Sequence, residues 1–321
     1  MDAVAWGLMG GVVALLIIAT VVVNLLRRRL PDRLNPALLE NISSRLRAWW
    51  LLLAGLAGAL MLGKTATVVL FFLISFWTLR EFITIAPTRP GDHRALFWVF
   101  VLATPAQYLL VAFAQYELFA ILIPVYGMLF LHARVALSND PVQFLERTAK
   151  IQIGLMICVY CLSYTPALLT ALPLDPDGYS PNIRLLFFFV LITQLNDALQ
   201  FAWSQLPSRH YIVPNINPTR TWEGLLGGAA SVTLLGALLS WATPFASSWV
   251  AAGMALAVAL AGFAGGITMS AIKRDRGVKD YGTLVEGHSG VLDRLDSLCF
   301  AAPVFFHLTK VYFHYFPYVA G

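Results

Sequence analysis

Ten long apolar segments recur along this chain, and they limit its fold more than any other feature of the sequence. A helix that crosses a bilayer needs ~20 predominantly apolar residues. Backbone groups cannot be left unpaired in hydrocarbon, so segments of this kind cross a membrane as helices. The pattern therefore predicts an all-α polytopic membrane protein with about ten transmembrane helices. The predicted spans are residues 5–26, 47–63, 65–80, 95–114, 118–134, 151–172, 183–203, 224–243, 249–269 and 296–317.

The composition excludes the main alternatives to a membrane protein. Of the 321 residues, 59% are hydrophobic and 12% are charged, whereas about 25% of the residues in soluble domains are charged. Disordered chains contain few apolar residues. The net charge of +5 is attributed to loops that face anionic lipid, so no nucleic-acid partner is expected. Cys158 and Cys161 form a C-x-x-C inside an apolar segment, which indicates two buried side chains instead of a redox or metal site.

The distribution of lysine and arginine predicts how the helices cross the membrane. Cytoplasmic loops are enriched in basic residues. If the N-terminus is outside, one set of loops collects all 22 basic residues except Lys64, Arg184 and Lys310. Both termini are then non-cytoplasmic, and the loops 204–223 and 270–295 lie together on the cytoplasmic face. The chain is therefore expected in the inner membrane with these two loops in the cytoplasm.

The same pattern suggests a simple domain organisation. The first apolar segment is long and is followed by the triplet Arg27–Arg29, so it is predicted to be a retained helix and not a cleaved signal peptide. Residues 1–321 are expected to form a single integral membrane domain. Within it, residues 1–150 form N-terminal helices of unassigned role, and residues 183–317 carry the functional helices and loops.

One loop holds an unusual concentration of charge. The segment SAIKRDRGVKDYGTLVEGHSGVLDRLD, residues 270–296, contains ten charged side chains in 27 residues. Its cations come first, and such a cluster by itself is typical of an anchor to anionic lipid. These cations are Lys273, Arg274, Arg276 and Lys279.

Two carboxylates follow at the start of the last apolar segment. Asp293 and Asp296 are spaced i, i+3, so they share a face of a helix. Acids in the first turn of a helix are also favoured by its macrodipole alone. The alternative is a site for a hard divalent cation such as Mg²⁺, which binds carboxylate oxygens together with substrate phosphates. Because acids at membrane depth are costly unless they function, we predict that Asp293 and Asp296 bind Mg²⁺.

Glycines separate the cations from the carboxylates. They are Gly277, Gly282, Gly287 and Gly290, and His288 lies between the last two. Glycines let backbone amides approach phosphate oxygens, and the N-terminus of the last predicted helix adds its positive end. His288 is expected either to position a phosphate or to be a structural histidine in a tight loop. Together these features predict a polyphosphate site.

A second cytoplasmic loop carries related features. The segment QLNDALQFAW places Asn196 and Asp197 inside an apolar stretch, where an unpaired carboxylate is costly. The segment NINPTRTWEGLLGG follows it. There, Arg220 can pair with a phosphate, Trp222 can stack on a ligand or lie at the membrane interface, and Glu223 lies at a helix start.

Both segments resemble signature motifs of the CDP-diacylglycerol synthases, also called phosphatidate cytidylyltransferases. NPTRTWEG is similar to the family element Ser-Pro-x-Lys-Thr-Trp-Glu-Gly, and Asp197 matches an acid that precedes this element. The longer family signature matches at Ser270, Lys273-Arg274, Lys279-Asp280, Gly282, Gly287-His288-Ser289-Gly290 and Asp293-Arg294-Leu295-Asp296.

The chain also departs from the family pattern. Gly266 stands where the family has an aspartate, four residues before Ser270. Ser289 replaces a glycine, Glu286 replaces a proline and Asn217 replaces a serine. These differences indicate a divergent member or paralogue.

The resemblance implies a reaction. A phosphate oxygen of phosphatidate attacks the α-phosphorus of CTP, and the products are CDP-diacylglycerol and pyrophosphate. It implies Mg²⁺ at Asp293 and Asp296, with Asp280 or Asp197 completing or orienting the site. The implied catalytic residues are Lys273, Arg274, Lys279, Asp280, His288 and Arg294, and the implied substrate-binding residues are Asn196, Asp197, Asn217, Arg220, Thr221, Trp222, Glu223 and Ser270.

The expected partners are CTP, phosphatidate or a related lipid phosphate, and the lipid bilayer; a homodimer is left open. Two other functions compete with this reaction. A CTP-dependent lipid kinase would transfer the γ-phosphate instead. A transporter or scramblase for anionic lipids would have lost the chemistry, which the missing acid at Gly266 favours, although transporter sites lie near the midplane and these charges cluster at one face.

Overall fold

Ten helical segments follow the ten apolar stretches in the computed structural model, which describes residues 3–29, 36–172, 174, 180–207, 210–282 and 290–317. The segments are α1 (Ala3–Arg29), α2 (Pro36–Leu62), α3 (Lys64–Ile85), α4 (Pro90–Ala112), α5 (Tyr116–Ala136), α6 (Phe144–Thr170), α7 (Ser180–Trp203), α8 (Trp222–Leu238), α9 (Ser248–Asp275) and α10 (Leu292–Tyr315). Within the described residues, extended pairing is limited to an isolated bridge between Tyr211 and Thr221. The expectation of an all-α polytopic membrane protein is confirmed.

The helices have the length and surface of a membrane protein. Seven of those described are long and apolar enough to cross a bilayer, and α2 and α8 contain the shorter apolar helices Trp49–Leu62 and Trp222–Leu238. Large apolar side chains also lie on the outside, among them Leu62, which is 82% exposed, and Trp249, which is 87% exposed. Such exposure is unfavourable in water and favourable in lipid. The chain is an integral membrane protein.

The closely spaced second and third spans are two separate helices. Gly63 follows α2 and has a φ of +105°, a backbone conformation that residues other than glycine rarely adopt. Helix α3 begins at the next residue. The single residue Gly63 interrupts the helical backbone between α2 and α3. Helix α2 begins at Pro36, well before the predicted residue 47, because its first turns are polar and the prediction followed only the apolar part.

Prolines coincide with irregular turns in three consecutive helices. The wide π-helical turns Val99–Ala103, Leu122–Gly127 and Met156–Cys161 lie in α4, α5 and α6. Pro124 lies within the second, and Pro105 and Pro166 follow the first and third. Proline lacks an N–H and clashes with the carbonyl four residues earlier, and a widened turn relieves that clash.

The last four helices form the packed centre of the protein. Helices α7, α8 and α9 pack on one another, α10 packs on α7 and α9, and α3 and α6 also pack on α10. Phe189 on α7 stacks on Phe305 of α10 with 5.0 Å between ring centroids. Helices α1 and α2 pack together, and α1 also contacts α7. The helices that carry both motif segments are therefore fixed at the centre of the bundle.

A buried ion pair joins the first turns of α4 and α6. Arg147 at the start of α6 donates to Asp92 through Nη2 at 2.6 Å and Nε at 3.0 Å. The two side chains are 2% and 0% exposed. Arg147 Nη1 also donates to the carbonyls of Asp140 and Val142 at 2.9 and 3.0 Å. Each charge in this cluster therefore has direct polar partners.

Candidate active site

The two motif segments meet at the end of α9. Asn217 Nδ2 donates to Ser270 Oγ at 3.0 Å, and Ser270 Oγ donates to the carbonyl of Gly266 at 2.7 Å. Arg274 Nε donates to the carbonyl of Ile216 at 3.2 Å. Asn217, Ser270 and Arg274 therefore lie together, as the sequence predicts, and in this structure they join the loop before α8 to α9.

The start of α8 is stabilised by its own loop. Thr221 caps the helix, because its Oγ1 accepts from the Gly224 N–H at 3.0 Å. The Glu223 carboxylate accepts from the backbone N–H of His210 at 3.1 Å and from its ring. The hydrogen bond from His210 lowers the pKa of Glu223 to about 2. Trp222 is 49% exposed on the surface. The predicted substrate contacts of Thr221 and Glu223 stay predictions, and their observed contacts shape the loop.

Lys273 and Asp293 form an ion pair across the charged loop. Lys273 Nζ lies 2.6 Å from Asp293 Oδ1, and the two side chains are 14% and 7% exposed. The Lys273 ammonium also lies 5.4 Å from the centroid of the Tyr281 ring. A cation over an aromatic face is further stabilised. Lys273 is thus fixed in direction, and the charge of Asp293 is largely neutralised.

The second oxygen of Asp293 holds the two ends of the signature loop together. Asp293 Oδ2 accepts from the backbone N–H of Tyr281 at 2.8 Å and from that of Gly290 at 3.1 Å. The predicted phosphate-binding residue His288 lies between these two points, outside the residues that the structure describes. Its role stays a prediction.

A carboxylate from α3, which the sequence analysis did not identify, binds the N-terminus of α10. Glu81 is 7% exposed and accepts from the N–H groups of Val291 and Leu292 at 3.0 and 2.8 Å. These amides were expected to meet a phosphate, but they already have an anionic partner. The physical reason is that the positive end of a helix attracts any nearby carboxylate. The signal in the sequence was an acid, Glu81, directly after a predicted span.

Two other carboxylates converge on one serine of α10. Ser297 Oγ donates to Asp197 Oδ1 at 2.8 Å. Asp296 Oδ1 accepts from the Ser297 N–H at 2.7 Å and lies 3.5 Å from Ser297 Oγ. Asp197 comes from α7, so the two acids belong to different helices. The charges of Arg220 and Lys273 act on Asp296 as well.

Arg220 reaches this site along a chain of amides. Its Nη1 donates to Gln200 Oε1 at 2.6 Å. Gln200 Nε2 in turn donates to Asn196 Oδ1 at 3.0 Å, and Asn196 Nδ2 donates to the carbonyl of Ala259 at 3.3 Å. Asn196 therefore acts on the site through Gln200. Gln200 was not predicted as a site residue, because nothing in the sequence distinguishes it from the other polar residues of α7.

The guanidinium of Arg220 occupies the space beside Gly266. A Cβ atom at position 266 would clash with Arg220 Nη2. The arginine also lies over the ring of Phe263, 5.7 Å from its centroid. The space beside Gly266 is thus occupied by the Arg220 cation, whereas the family pattern has an acid at this position.

Three predicted catalytic residues lie at the edge of the site. Lys279 and Asp280 are exposed. Arg294 is half-buried and lies within electrostatic range of Asp280, Asp293 and Asp296. The structure therefore brings Arg294 close to the carboxylates and leaves Lys279 and Asp280 on the surface.

The carboxylates allow a test of the predicted metal site. In the described part of the chain, no group of three or more histidine, cysteine, aspartate or glutamate side chains is arranged to hold a metal ion. Mg²⁺ commonly takes one or two carboxylates and completes its shell with water and substrate phosphates. Asp197 and Asp296 fit that requirement. Asp293 is already bound by Lys273 and two amides, so the predicted pairing of Asp293 with Asp296 is disfavoured by this geometry.

Comparisons with known proteins agree with these motifs. Residues 43–312 match the model for the Cytidylyltransferase family. The chain is 35% identical over 297 residues to the uncharacterized protein YnbB of Escherichia coli K12, which covers 92% of this chain and 95% of that protein. It is 29% identical over 157 residues to the phosphatidate cytidylyltransferase of Staphylococcus aureus and 31% identical over 176 residues to that of Mycobacterium leprae.

The two kinds of relative differ in how much of their length is matched. The similarity to the named enzymes spans 49% and 54% of this chain. It spans 60% of the Staphylococcus aureus enzyme and 53% of the Mycobacterium leprae enzyme. The similarity to YnbB, in contrast, extends over nearly the whole of both chains.

Proposed function

Since this chain belongs to the cytidylyltransferase family, we propose that it transfers the cytidylyl group of CTP to phosphatidate or a related lipid phosphate. The products are CDP-diacylglycerol, or the corresponding CDP-lipid, and pyrophosphate. The relatives that carry the name phosphatidate cytidylyltransferase support this acceptor.

One observation carries the proposal. Asp197 and Asp296, from two different helices, share Ser297, and the cations Arg220 and Lys273 act on the same spot. A pair of carboxylates beside fixed cations suits a triphosphate that arrives with a divalent ion. The carboxylates lie within a turn or two of the helix ends, so a lipid phosphate can reach them while its acyl chains stay in the bilayer.

The reaction consists of one displacement at phosphorus. An oxygen of the lipid phosphate forms a bond to the α-phosphorus of CTP. The bond from the α-phosphorus to the oxygen that bridges to the β-phosphorus breaks, and its electron pair leaves with pyrophosphate. The attacking phosphate is already ionised at neutral pH, so no general base is needed.

The chain's residues align the reactants and neutralise charge. Asp197 and Asp296 would hold Mg²⁺, which when bound supplies neutralisation of the triphosphate. Lys273, fixed by Asp293, and Arg294 stabilise the departing pyrophosphate. Arg220, fixed by Gln200, pairs with phosphate oxygens at the reacting centre. Fixed charges of this kind need no reorganisation during the reaction and lower its barrier.

The proposed setting is the inner membrane with the site on its cytoplasmic side. The support is the placement of basic residues, which collects both motif loops on one face. In the structure those loops also share one end of the bundle, where Asn217 Nδ2 lies 3.0 Å from Ser270 Oγ. CTP is then supplied from the cytoplasm and the lipid phosphate from the adjacent leaflet.

An assay with CTP labelled at the α-phosphate tests the proposal. The purified protein is incubated in vesicles with phosphatidate and Mg²⁺, and lipid and water-soluble products are separated. We expect the label in a lipid product. Label that appears only in CDP would instead indicate a lipid kinase, and label that stays in CTP with several lipid phosphates would contradict both reactions.

A matched pair of variants completes the test. Asp296→Asn removes a proposed ligand of Mg²⁺. Asp275→Asn removes an exposed acid that pairs with Arg276 outside the site. The proposal expects loss of lipid labelling in the first variant and ordinary labelling in the second.

A further inference from the structure

Two helices hold the guanidinium of Arg220 beside the carboxylates of the candidate site. From α7, Gln200 Oε1 accepts from Arg220 Nη1 at 2.6 Å. From α9, the backbone of Gly266 lies so close that a Cβ atom there would overlap Arg220 Nη2, and the ring centroid of Phe263 lies 5.7 Å from the guanidinium carbon. A charge held in this way needs little reorganisation when a ligand binds. The cation is therefore a fixed part of the site.

The packing of α9 places this cation about one helical turn from the carboxylates. Gly262 and Gly266 are spaced i, i+4, so they share a face of α9. A Cβ atom at Gly262 would lie 3.3 Å from the Cβ atom of Ser297, the serine that both carboxylates share. The guanidinium lies against the next turn, ~6 Å further along the helix axis. Its charge acts on Asp296 more strongly than that of Lys273 does.

The carboxylates around this cation suit one divalent ion. Two metal ions that act together in one site lie roughly 3.5–4 Å apart, and each Mg²⁺ commonly takes one or two carboxylates. Asp197 and Asp296 are enough for a single ion. Of the other acids that the structure describes on adjoining turns, Asp293 is bound by Lys273 and two amides, and Glu81 accepts from two amides of α10.

We propose that the Arg220 guanidinium takes the place of a second divalent ion, so that the site binds a single Mg²⁺. The inference rests on the proposed function, since it describes the metal of that reaction. A guanidinium matches the geometry of phosphate oxygens through several N–H donors, so Arg220 neutralises charge that a second metal ion neutralises in other enzymes. Because like charges repel, Arg220 also weakens the binding of a divalent ion when no nucleotide is present.

Electron paramagnetic resonance of Mn²⁺, used in place of Mg²⁺, tests the proposal on the unaltered chain. The purified protein in detergent is mixed with Mn²⁺ and with a CTP analogue in which a methylene group replaces the oxygen between the α- and β-phosphorus. We expect one bound Mn²⁺ per chain with the spectrum of an isolated ion. Two ions roughly 3.5–4 Å apart would give a spin-coupled spectrum, and that result would overturn the proposal.

Variants of Arg220 test its charge through the affinity for Mn²⁺ alone. Arg220→Met should tighten Mn²⁺ binding about tenfold, because a nearby positive charge is lost. Arg220→Lys keeps the charge and should bind Mn²⁺ about as the wild type does. Arg94→Met, which removes an exposed cation at the start of α4, is the matched control and should leave the affinity unchanged. Equal affinities in Arg220→Met and the wild type would contradict the proposed role of the guanidinium.

A double variant reverses the proposed exchange of a metal ion for a guanidinium. In Arg220→Ser, Gly266→Asp the cation is removed and a third carboxylate is added in the space that it leaves. This variant should bind a second Mn²⁺ and show the spin-coupled spectrum. A double variant that still binds one isolated ion would overturn the proposal, because the space beside position 266 would then not be a place for metal.

The outcomes separate this inference from the proposed function, since lipid labelling from CTP is measured in parallel. A spin-coupled pair of ions in a chain that labels lipid would overturn the role of Arg220 and leave the reaction standing. A single isolated ion whose affinity rises in Arg220→Met, in a chain that labels no lipid, would support the role of Arg220 and overturn the reaction. A chain that binds no Mn²⁺ would overturn the inference whether or not lipid is labelled.

Discussion

Two charge clusters at the same end of the bundle differ in how their charges are balanced. In the cluster around Arg147, the guanidinium donates to Asp92 through two of its nitrogens. It also donates to two backbone carbonyls. In the cluster around Ser297, Asp197 and Asp296 from separate helices share one hydroxyl. The first arrangement is balanced within the protein. The second brings two like charges together, and a bound cation would relieve their repulsion.

The difference separates structural charges from functional ones. A buried pair that is fully hydrogen-bonded contributes to a defined fold and is strongly destabilising when one partner is removed. Two acids held close together raise the energy of the empty site and bind a cation more tightly in return. The contrast therefore predicts opposite results for substitutions in the two clusters: loss of stability in one and loss of activity in the other.

The largest expected effect is in the carboxylate pair. Asp296→Asn removes a proposed metal ligand and relieves the repulsion with Asp197, so transfer should fall about 10,000-fold while the thermal unfolding midpoint is unchanged or higher. The measurements are lipid labelling from CTP and unfolding in detergent. Asp293→Asn is the comparison, because it frees Lys273 and two amides and should lower the midpoint. A clear destabilisation by Asp296→Asn would remove the contrast between the clusters.

The next effect concerns the balanced cluster. Arg147→Met leaves Asp92 buried without its cation and should reduce the free energy of unfolding by about 3–5 kcal/mol. Transfer per folded molecule should be unchanged. The double variant Asp92→Leu, Arg147→Met should regain much of the stability, because it removes both buried charges. If Arg147→Met instead abolished turnover in a stable protein, this cluster would belong to the active site.

A smaller effect is expected at Glu81, which binds the N-terminus of α10 one turn before Asp296. Glu81→Gln keeps one acceptor oxygen for the α10 amides and removes the charge that favours the helix N-terminus. A slight displacement of α10 moves Asp296, so kcat should fall about 10- to 100-fold. Ala substitution should be more severe, since both amides then lose their acceptor. Unaltered kcat in both variants would show that α10 is positioned by its other contacts.

The smallest effect is at the exposed pair of His210 and Glu223. The pKa of Glu223 falls from 4.5 to about 2, so its contribution to stability is present above pH 4.5 and is lost as the pH falls towards 2. The wild type and Glu223→Gln should differ slightly in unfolding midpoint at pH 5–7, and the difference should vanish near pH 2. A difference that persists at low pH would mean that the carboxylate charge is not its source. The pair is exposed, so the effect is small.

Much of the fold could be predicted from the sequence, because each membrane-spanning helix is a continuous apolar stretch of the chain. The ten segments needed no knowledge of their packing. Even the break at Gly63 between α2 and α3 was marked by a glycine and a lysine. The start of α2 at Pro36 was missed, because its polar first turns carry no apolar signal.

The site could be predicted only in its parts. Asp197 was marked by its apolar surroundings and Asp296 by its place at a span. Their meeting at Ser297 joins residues 100 positions apart, and the contact of Glu81 with Leu292 joins residues 211 apart. Local patterns do not encode such separations. The i, i+3 spacing in the sequence favoured Asp293 as the partner of Asp296, because spacing shows which residues share a helix face. It does not show that Lys273, 20 residues away, pairs with Asp293.

The contact between Gly266 and Arg220 constrains how this site can evolve. A side chain introduced first at position 266 would push the guanidinium away from Gln200, whereas shortening residue 220 first would open a void next to Phe263. The fitness of either substitution therefore depends on the residue at the other position. The two positions are therefore expected to vary together wherever an acid stands at 266, since the guanidinium of Arg220 has to be held differently there.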